Sequence, residues 1–175
     1  MIHRLLLKIT IDIGLVICEM IDYNALELFH PIYEEVTMGK FKETSMGAIF
    51  QNRVQQYGDK ALVMYKNKEG VWEDISWNQM NEMVRNVAFY LLSKGVRIGD
   101  KISLFSPNRY EWWIADLAIL SIGAVNVPLY ATNSAQECRY IIENSDSIMC
   151  FVGTKEHMDK IVSVKPTLPN LKDII

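Results

Sequence analysis

The chain has 175 residues, half of them hydrophobic, and a formal net charge of −3 from 18 basic and 21 acidic side chains. A chain this long and this apolar can bury a sizeable core, which excludes disorder over most of its length. Lysine and arginine are scattered without a basic stripe or run, so a nucleic-acid-binding surface is excluded as well.

The first 45 residues are predicted to form a leader that is partly disordered. Arg4 and Lys8 precede an apolar segment as they would in a signal peptide, but Asp12 interrupts that segment and no small-residue cleavage site follows. A membrane-spanning helix needs about 20 apolar residues, and no run of that length is present here. We expect Met38 or Met46 to be the natural start, which N-terminal sequencing of the expressed protein would test.

The cysteines and histidines form no recognisable site. The cysteines are odd in number and lack metal-ligand spacing, which indicates free thiols in a reducing cytosol; they are Cys18, Cys138 and Cys150. The histidines are isolated from the partners that a metal site or a nucleophile needs; they are His3, His30 and His157. We therefore predict a cytoplasmic protein without a metal site or a catalytic cysteine.

A helix and a hairpin open the domain that is predicted over residues 46–175. Thr44 or Ser45 is the N-cap candidate of the helix, whose buried stripe is predicted to comprise Met46, Ile49, Phe50, Val54 and Tyr57. Two β-rich runs, 61–65 and 71–75, then flank a turn segment that contains Asn and Gly, which predicts a β-hairpin. Trp72 on this hairpin is predicted to pack in the core rather than to bind a ligand.

Two later helices begin with capping boxes. Ser76 and Gln79 open an amphipathic helix that ends at Lys94 and Gly95. Ser134 and Glu137 open another, which is followed by a continuous apolar strand over residues 148–152. Thr154 is predicted to cap a last helix, which ends near Pro166 ahead of a further strand.

Between these helices, residues 101–130 read as one βαβ unit. A short apolar strand at 102–105 precedes a helix with so few polar residues that we expect burial nearly all round, and Gly123 closes that helix before a second strand. Alternation of short apolar strands and helices predicts an α/β fold: a mostly parallel sheet of βαβ type, with helices on both faces, plus the β-hairpin. Its crossovers should be right-handed.

Nucleotide-binding loops are absent from this pattern. The turn after the first parallel strand, residues 106–110, has no glycine, so the G-x-G-x-x-G fingerprint of dinucleotide sites is missing. No G-x-x-x-x-G-K-[ST] loop exists either. Gly153, Thr154 and Lys155 form only a weak candidate for a phosphate contact.

The strongest polar candidates are Asn108, Arg109 and Glu111, which follow the first parallel strand. Ligands bind at the carboxyl ends of strands in open α/β sheets, which favours a functional reading. The favoured alternative is structural, with Asn108 capping the helix and Glu111 completing a capping box. Tyr130 and Thr132 after the next strand fit a crevice and a turn equally well.

Several motifs carry a family resemblance: G-x-W-x-x-I-S-W at 70–77, S-P-N-R-x-E-W at 106–112, A-D-L-A-I-L-x-x-G-A-V at 115–125 and V-P-L-Y-x-T at 127–132. From about Gly47 to Lys165 the chain resembles the AMP-forming acyl-CoA synthetases of the adenylate-forming superfamily, most closely their long-chain fatty-acid–CoA ligase branch. Tyr110 and Ala131 stand where Pro is common in that family. The resemblance implies the incomplete first part of the N-terminal domain of an AMP-binding synthetase/ligase.

This family activates a carboxylate with ATP to an acyl-adenylate and pyrophosphate, then transfers the acyl group to coenzyme A. The resemblance thus implies fatty acid, ATP, Mg and CoA for the full-length enzyme, and peripheral membrane association as an alternative to a freely cytoplasmic location. The family's recognised catalytic segments lie downstream of the matched region, so no catalytic, cofactor-binding or metal-binding residue is assigned to this chain.

Three hypotheses follow from the sequence. The leading one is an N-terminal piece of a long-chain fatty-acid–CoA ligase that is inactive by itself. The second is a non-catalytic partner domain that pairs with a separately encoded remainder, and the third is a small Rossmann-type nucleotide-binding module. If a large domain is incomplete here, an exposed sheet edge and apolar helix faces should make the isolated chain prone to aggregation.

Overall fold

The computed structural model describes residues 9–12, 15–18 and 45–175. In the first two ranges, strands β1 (Ile9–Asp12) and β2 (Leu15–Cys18) pair antiparallel as a two-stranded sheet. The leader that is predicted over residues 1–45 lies mostly outside the described residues. His3 and His30 lie wholly outside them.

Helix α1 and a hairpin begin the continuous part. Helix α1 spans Met46–Tyr57, and Ser45 caps it by accepting a hydrogen bond from the Ala48 N–H at 3.2 Å. The hairpin pairs β3 (Ala61–Lys66) with β4 (Trp72–Ser76), as predicted. The stripe prediction for α1 is partly wrong, because Phe50 and Val54 are buried whereas Met46 and Ile49 are exposed.

The remaining elements alternate as the sequence predicts. They are α2 (Trp77–Ser93), β5 (Lys101–Phe105), α3 (Tyr110–Ser121), β6 (Val125–Leu129), α4 (Ala135–Ser145), β7 (Met149–Val152), α5 (Lys155–Val164), a 3₁₀ turn (Lys165–Thr167) and β8 (Asp173–Ile174). Both predicted capping boxes are present, at Ser76 with Gln79 and at Ser134 with Glu137. The predicted end of α2 is also confirmed, since Gly95 has a positive φ of 83° and the Val96 N–H reaches the Leu91 carbonyl at 3.1 Å.

Four parallel strands form the central sheet in the order β6-β5-β7-β8. The chain moves outward from β5 to β6, crosses back over β5 to β7, and continues to β8 on the other side. Crossovers of one hand that run in opposite directions place their helices on opposite faces of the sheet. Accordingly, α1, α2 and α3 enclose one apolar cluster and α4 and α5 another, so the prediction of helices on both faces is confirmed.

Strand β5 lies at the centre and serves both clusters. Ile102 and Leu104 point into the first cluster and Phe105 into the second, and all three are at most 2% exposed. Ser103 shares the face of Phe105, where its buried hydroxyl donates to that of Ser147 at 2.8 Å. A polar side chain is tolerated at this depth because its hydrogen bond is satisfied within the protein.

The predictions for two tryptophan-bearing elements need correction. Trp72 is 58% exposed, with the Lys66 ammonium 5.1 Å from its ring centroid, because strand alternation turns Ile75 toward the core and Trp72 away from it. Helix α3 is not buried all round either, since Trp113 is 48% exposed. Packing of α3 against the sheet, α1 and α2 leaves one side of the helix open to solvent.

Candidate functional site

The residues that follow the parallel strands meet at one edge of the sheet, the carboxyl edge. They comprise residues 106–109 after β5, 130–132 after β6 and 153–155 after β7. Because the chain leaves β5 toward β6 and leaves β7 toward β8, the strand order reverses between β5 and β7. Such a reversal is the position at which open α/β sheets usually form a ligand crevice.

Arg109 occupies this reversal point. Its Nε and Nη2 donate to Oε2 and Oε1 of Glu111 at 2.8 and 2.6 Å, and its Nη1 donates to the carbonyl oxygen of Gly153 at 2.9 Å. The hydrogen bonds to the Glu111 carboxylate raise the pKa of Arg109 above its ordinary value. Side-chain exposure is 24% for Arg109 and 15% for Glu111, so this ion pair is largely removed from water.

The capping prediction for this turn is therefore wrong. Arg109, not Asn108, is the residue that precedes the first turn of α3, and it makes no side-chain cap hydrogen bond. Asn108 is exposed. Glu111 lies in the first helical turn as expected, but both of its carboxylate oxygens are engaged by Arg109 instead of completing a capping box.

Gly153 lies directly against the turn after β5. Its N–H donates to the carbonyl of Phe105 at 2.9 Å, and a Cβ atom placed on Gly153 would stand only 2.1 Å from Ser106 Oγ. Thr154 then caps α5, as predicted, by accepting from the His157 N–H at 3.2 Å. Lys155 points into solvent and pairs with Asp159 one turn later. These contacts make 153–155 a packed strand-to-helix turn.

His157 connects this turn to the one after β6. Its ring lies 4.0 Å from the ring of Phe105, and Nε2 is 3.0 Å from the carbonyl oxygen of Ala131, so Nε2 carries the proton in that contact. Within the described part of the chain, the buried Nδ1 has no hydrogen-bond partner. His157 is isolated in the sequence, and only the fold brings Ala131 to it. The 130–133 segment itself is a turn, closed by Asn133 N–H to Tyr130 C=O at 2.9 Å, with Tyr130 81% exposed.

The two cysteines with described side chains are buried in the second apolar cluster. Burial raises the pKa of Cys138 to about 11 and raises that of Cys150 further. A thiol with a raised pKa is a poor nucleophile and a poor metal ligand at neutral pH. The side chain of Cys18 lies outside the described residues.

Comparison with known proteins identifies the family. The model of the family described as "AMP-binding enzyme" matches residues 50–175, which is most of the chain. This chain belongs to the AMP-binding enzyme family. The resemblance carried by the sequence motifs is thereby confirmed.

This chain is similar to curated long-chain-fatty-acid–CoA ligases. It is 36% identical to FadD15 of Mycobacterium bovis over 118 residues, covering 67% of this chain and 20% of the relative. It is 30% identical to ACSBG2 of Xenopus laevis over 143 residues, covering 81% of this chain and 19% of the relative. This chain thus spans about a fifth of the length of the curated relatives that it matches.

Solved structures show the same fold. A long-chain-fatty-acid-CoA ligase (FadD1) from Archaeoglobus fulgidus superposes with a TM-score of 0.68 at 16% identity, over 77% of this chain and 27% of that one. A coronafacic acid ligase from Pectobacterium brasiliense gives 0.68 at 24% identity, over 75% and 25%. The α/β architecture of this chain is therefore that of a part of these larger ligases.

Several polar side chains at the carboxyl edge of the sheet bind other groups of the protein. Arg109 and Glu111 satisfy each other, Thr154 is used as a cap, and Lys155 pairs with Asp159. Over the described residues, no group of three or more His, Cys, Asp or Glu side chains could hold a metal ion. In the same part of the chain no helix has both the length and the apolar character required to cross a bilayer.

Asp116 is a carboxylate, among the described residues, whose pKa is raised by burial. It lies half-buried on α3, and its Oδ1 accepts a hydrogen bond from Asn126 Nδ2 on β6 at 2.6 Å. Loss of hydration raises the pKa of Asp116 above its ordinary value, and the hydrogen bond from Asn126 offsets only part of that effect. Ionised Asp116 is therefore a cost to folding.

We expect Asp116→Asn to stabilise the chain at neutral pH. Because the folded pKa of Asp116 exceeds the unfolded pKa of about 3.9, the native state binds more protons between these two values. The stabilisation contributed by protonated Asp116 is thus fully present below about pH 3.9. It is lost as the pH rises through the folded pKa, because the buried carboxylate then becomes ionised. Urea unfolding over a pH series should show this loss in the parent and not in the variant, whose amide oxygen still accepts from Asn126. Asp74→Asn, on the outward face of the hairpin, is the control, and equal pH profiles for parent and Asp116→Asn would contradict the assignment.

Proposed function

We propose that residues 46–175 form the incomplete first part of the N-terminal domain of a long-chain fatty-acid–CoA ligase. The reaction of the whole enzyme would join a fatty acid to CoA with ATP, through an acyl-adenylate, releasing AMP and pyrophosphate. The observation that carries the proposal is the family match over residues 50–175, together with long-chain-fatty-acid–CoA ligases among the relatives. The substrate class rests on those relatives, since this chain spans about a fifth of their length.

In this proposal the chain supplies framework to the ligase. Helix α3 packs against the sheet, α1 and α2, and it contributes five of its twelve residues to the buried interior, namely Ile114, Ala115, Ala118, Ile119 and Ser121. The carboxyl edge between β5 and β7 is filled by Arg109 and Ser106. The groups that hold ATP phosphates and transfer the acyl chain would come from the remaining part of the enzyme, and the chain alone should be inactive.

A chimera tests the proposal. The segment of the Mycobacterium bovis FadD15 ligase that aligns with this chain is replaced by the corresponding 118 residues, and palmitate-dependent ATP–pyrophosphate exchange and palmitoyl-CoA formation are measured. We expect the chimera to catalyse both reactions and the isolated 175-residue chain to catalyse neither. Ile119→Asp in the chimera is the negative control, because Ile119 is fully buried.

Two results would count against the proposal. A chimera that folds but gives no exchange with any fatty acid would favour the non-catalytic partner domain instead. Exchange by the isolated chain above background would overturn the framework role, because it would require a phosphate-binding loop within this chain.

A further inference from the structure

The reversal point between β5 and β7 is closed by atoms of the chain itself. The Gly153 N–H reaches the Phe105 carbonyl at 2.9 Å, which continues the pairing of the two strands one residue beyond the end of β7. Ser106 lies so close to Gly153 that even a methyl group has no room between them. The place where other open sheets receive a ligand is thus already occupied.

The Arg109 guanidinium completes this closure. Glu111 offers it two carboxylate oxygens and Gly153 offers a carbonyl oxygen, at 2.6 to 2.9 Å. Three acceptors around a planar cation satisfy the fork geometry of a guanidinium, which a lysine ammonium does not reproduce. Arg109 belongs to the turn after β5 and Gly153 to the turn after β7, so this one side chain joins the two turns.

This arrangement differs from an ordinary surface ion pair. Arg139 and Glu143 on α4 also form a salt bridge, at 2.9 Å, but their side chains are 36% and 54% exposed and belong to one helix. Exposed pairs of that kind contribute little to stability. The Arg109 side chain is instead about three-quarters buried, and it donates to the main-chain carbonyl of a residue 44 positions away in the sequence.

We propose that Arg109 is a positioning residue whose guanidinium is the built-in ligand of the crevice between β5 and β7. It holds the turns after these strands together and keeps the crevice closed to other ligands. Gly153 and Thr154, which directly precede α5, are thereby fixed relative to the start of α3. The assignment goes beyond the proposed ligase function and does not depend on it.

Hydrogen exchange with chemical rescue tests this assignment on the full 175-residue chain. Exchange of the amides at 153–157 is measured by mass spectrometry in the parent, Arg109→Ala, Arg109→Lys and the double variant Arg109→Ala with Glu111→Ala. We expect exchange at 153–157 to become about tenfold faster in Arg109→Ala, because a charge-assisted hydrogen bond to the main chain is lost. Arg139→Ala is the matched control for losing an exposed arginine and should leave these amides unchanged.

Rescue separates a built-in ligand from a general loss of stability. Millimolar methylguanidinium should slow exchange in Arg109→Ala toward the parental rate, whereas methylammonium should not. The rescue should disappear in the double variant, which lacks the carboxylate, and Arg109→Lys should remain fast. If Arg109→Ala does not fold, the same additions to Arg109→Gln provide the comparison. Parental exchange in the substituted chain, equal rescue by methylammonium, or rescue that persists without Glu111 would each overturn the proposal.

Discussion

Gly153→Ala is expected to lower the free energy of unfolding by about 3 kcal/mol, because overpacking a filled site forces neighbouring groups apart. The added Cβ would lie 2.1 Å from Ser106 Oγ, 2.5 Å from Ser106 Cβ and 2.9 Å from Ser106 Cα. A side-chain hydroxyl can rotate away, but the Cα atom belongs to the turn after β5 and can move only with that turn. Thermal unfolding should show a midpoint lowered by roughly 10 °C.

The backbone of Gly153 makes this test specific for packing. Gly153 does not have a positive φ, so alanine is conformationally allowed there. Without the clash, Gly→Ala would stabilise the chain slightly by restricting the unfolded state. Combining Gly153→Ala with Ser106→Gly removes the Oγ and Cβ contacts and should recover part of the lost stability. An unchanged melting temperature for Gly153→Ala alone would contradict the close approach of the two turns.

Phe105→Ala is expected to cost about 3 to 5 kcal/mol of unfolding free energy, as is usual for truncating a buried aromatic side chain. Phe105 is fully buried on β5, opposite Leu129 on one neighbouring strand and Val152 on the other. Its ring also covers His157 at 4.0 Å between centroids. Truncation would leave a cavity that α4 and α5 cannot fill without moving away from the sheet.

Two controls distinguish this cavity from a general effect of removing an aromatic ring. Phe105→Leu keeps most of the apolar volume and should cost less than the alanine variant. Trp72→Ala removes a larger ring from an exposed site and should change the free energy of unfolding by no more than about 0.5 kcal/mol. Urea unfolding of the three variants gives the comparison. A Trp72→Ala cost equal to that of Phe105→Ala would show that the hairpin face is buried.

Several predictions that depend on residues close together in the sequence are confirmed by the structure. Each capping box places its donor and acceptor three residues apart, so Ser76 with Gln79 and Ser134 with Glu137 form as soon as the helix does. The end of α2 at Gly95 is local in the same way. Alternating short apolar strands and helices were enough to predict a parallel sheet with helices on both faces. The motifs around 106–132 were enough to indicate the AMP-binding family.

The failures concern side chains whose environment is set by distant residues. Its position on a hairpin that faces a neighbouring helix predicts Trp72 in the core, but the pairing of β4 with β3 and the inward direction of Ile75 turn it to solvent. The spacing of Glu111 from Asn108 predicts a capping box. Arg109, two residues away, instead donates to both oxygens of the Glu111 carboxylate through Nε and Nη2. Its Nη1 is left to donate to the Gly153 carbonyl.

The sequence by itself determined the element types, the fold class, the family and the helix caps at Ser76, Ser134 and Thr154, because these depend on spacing within one segment or on a motif. Only the tertiary structure decided which residues contact one another at the carboxyl edge of the sheet. Its contacts join Arg109 to Gly153 and His157 to Ala131, pairs that are 44 and 26 residues apart. Such pairs meet because the strand order places β5 between β6 and β7, so that Arg109 binds both Glu111 and Gly153 at this edge.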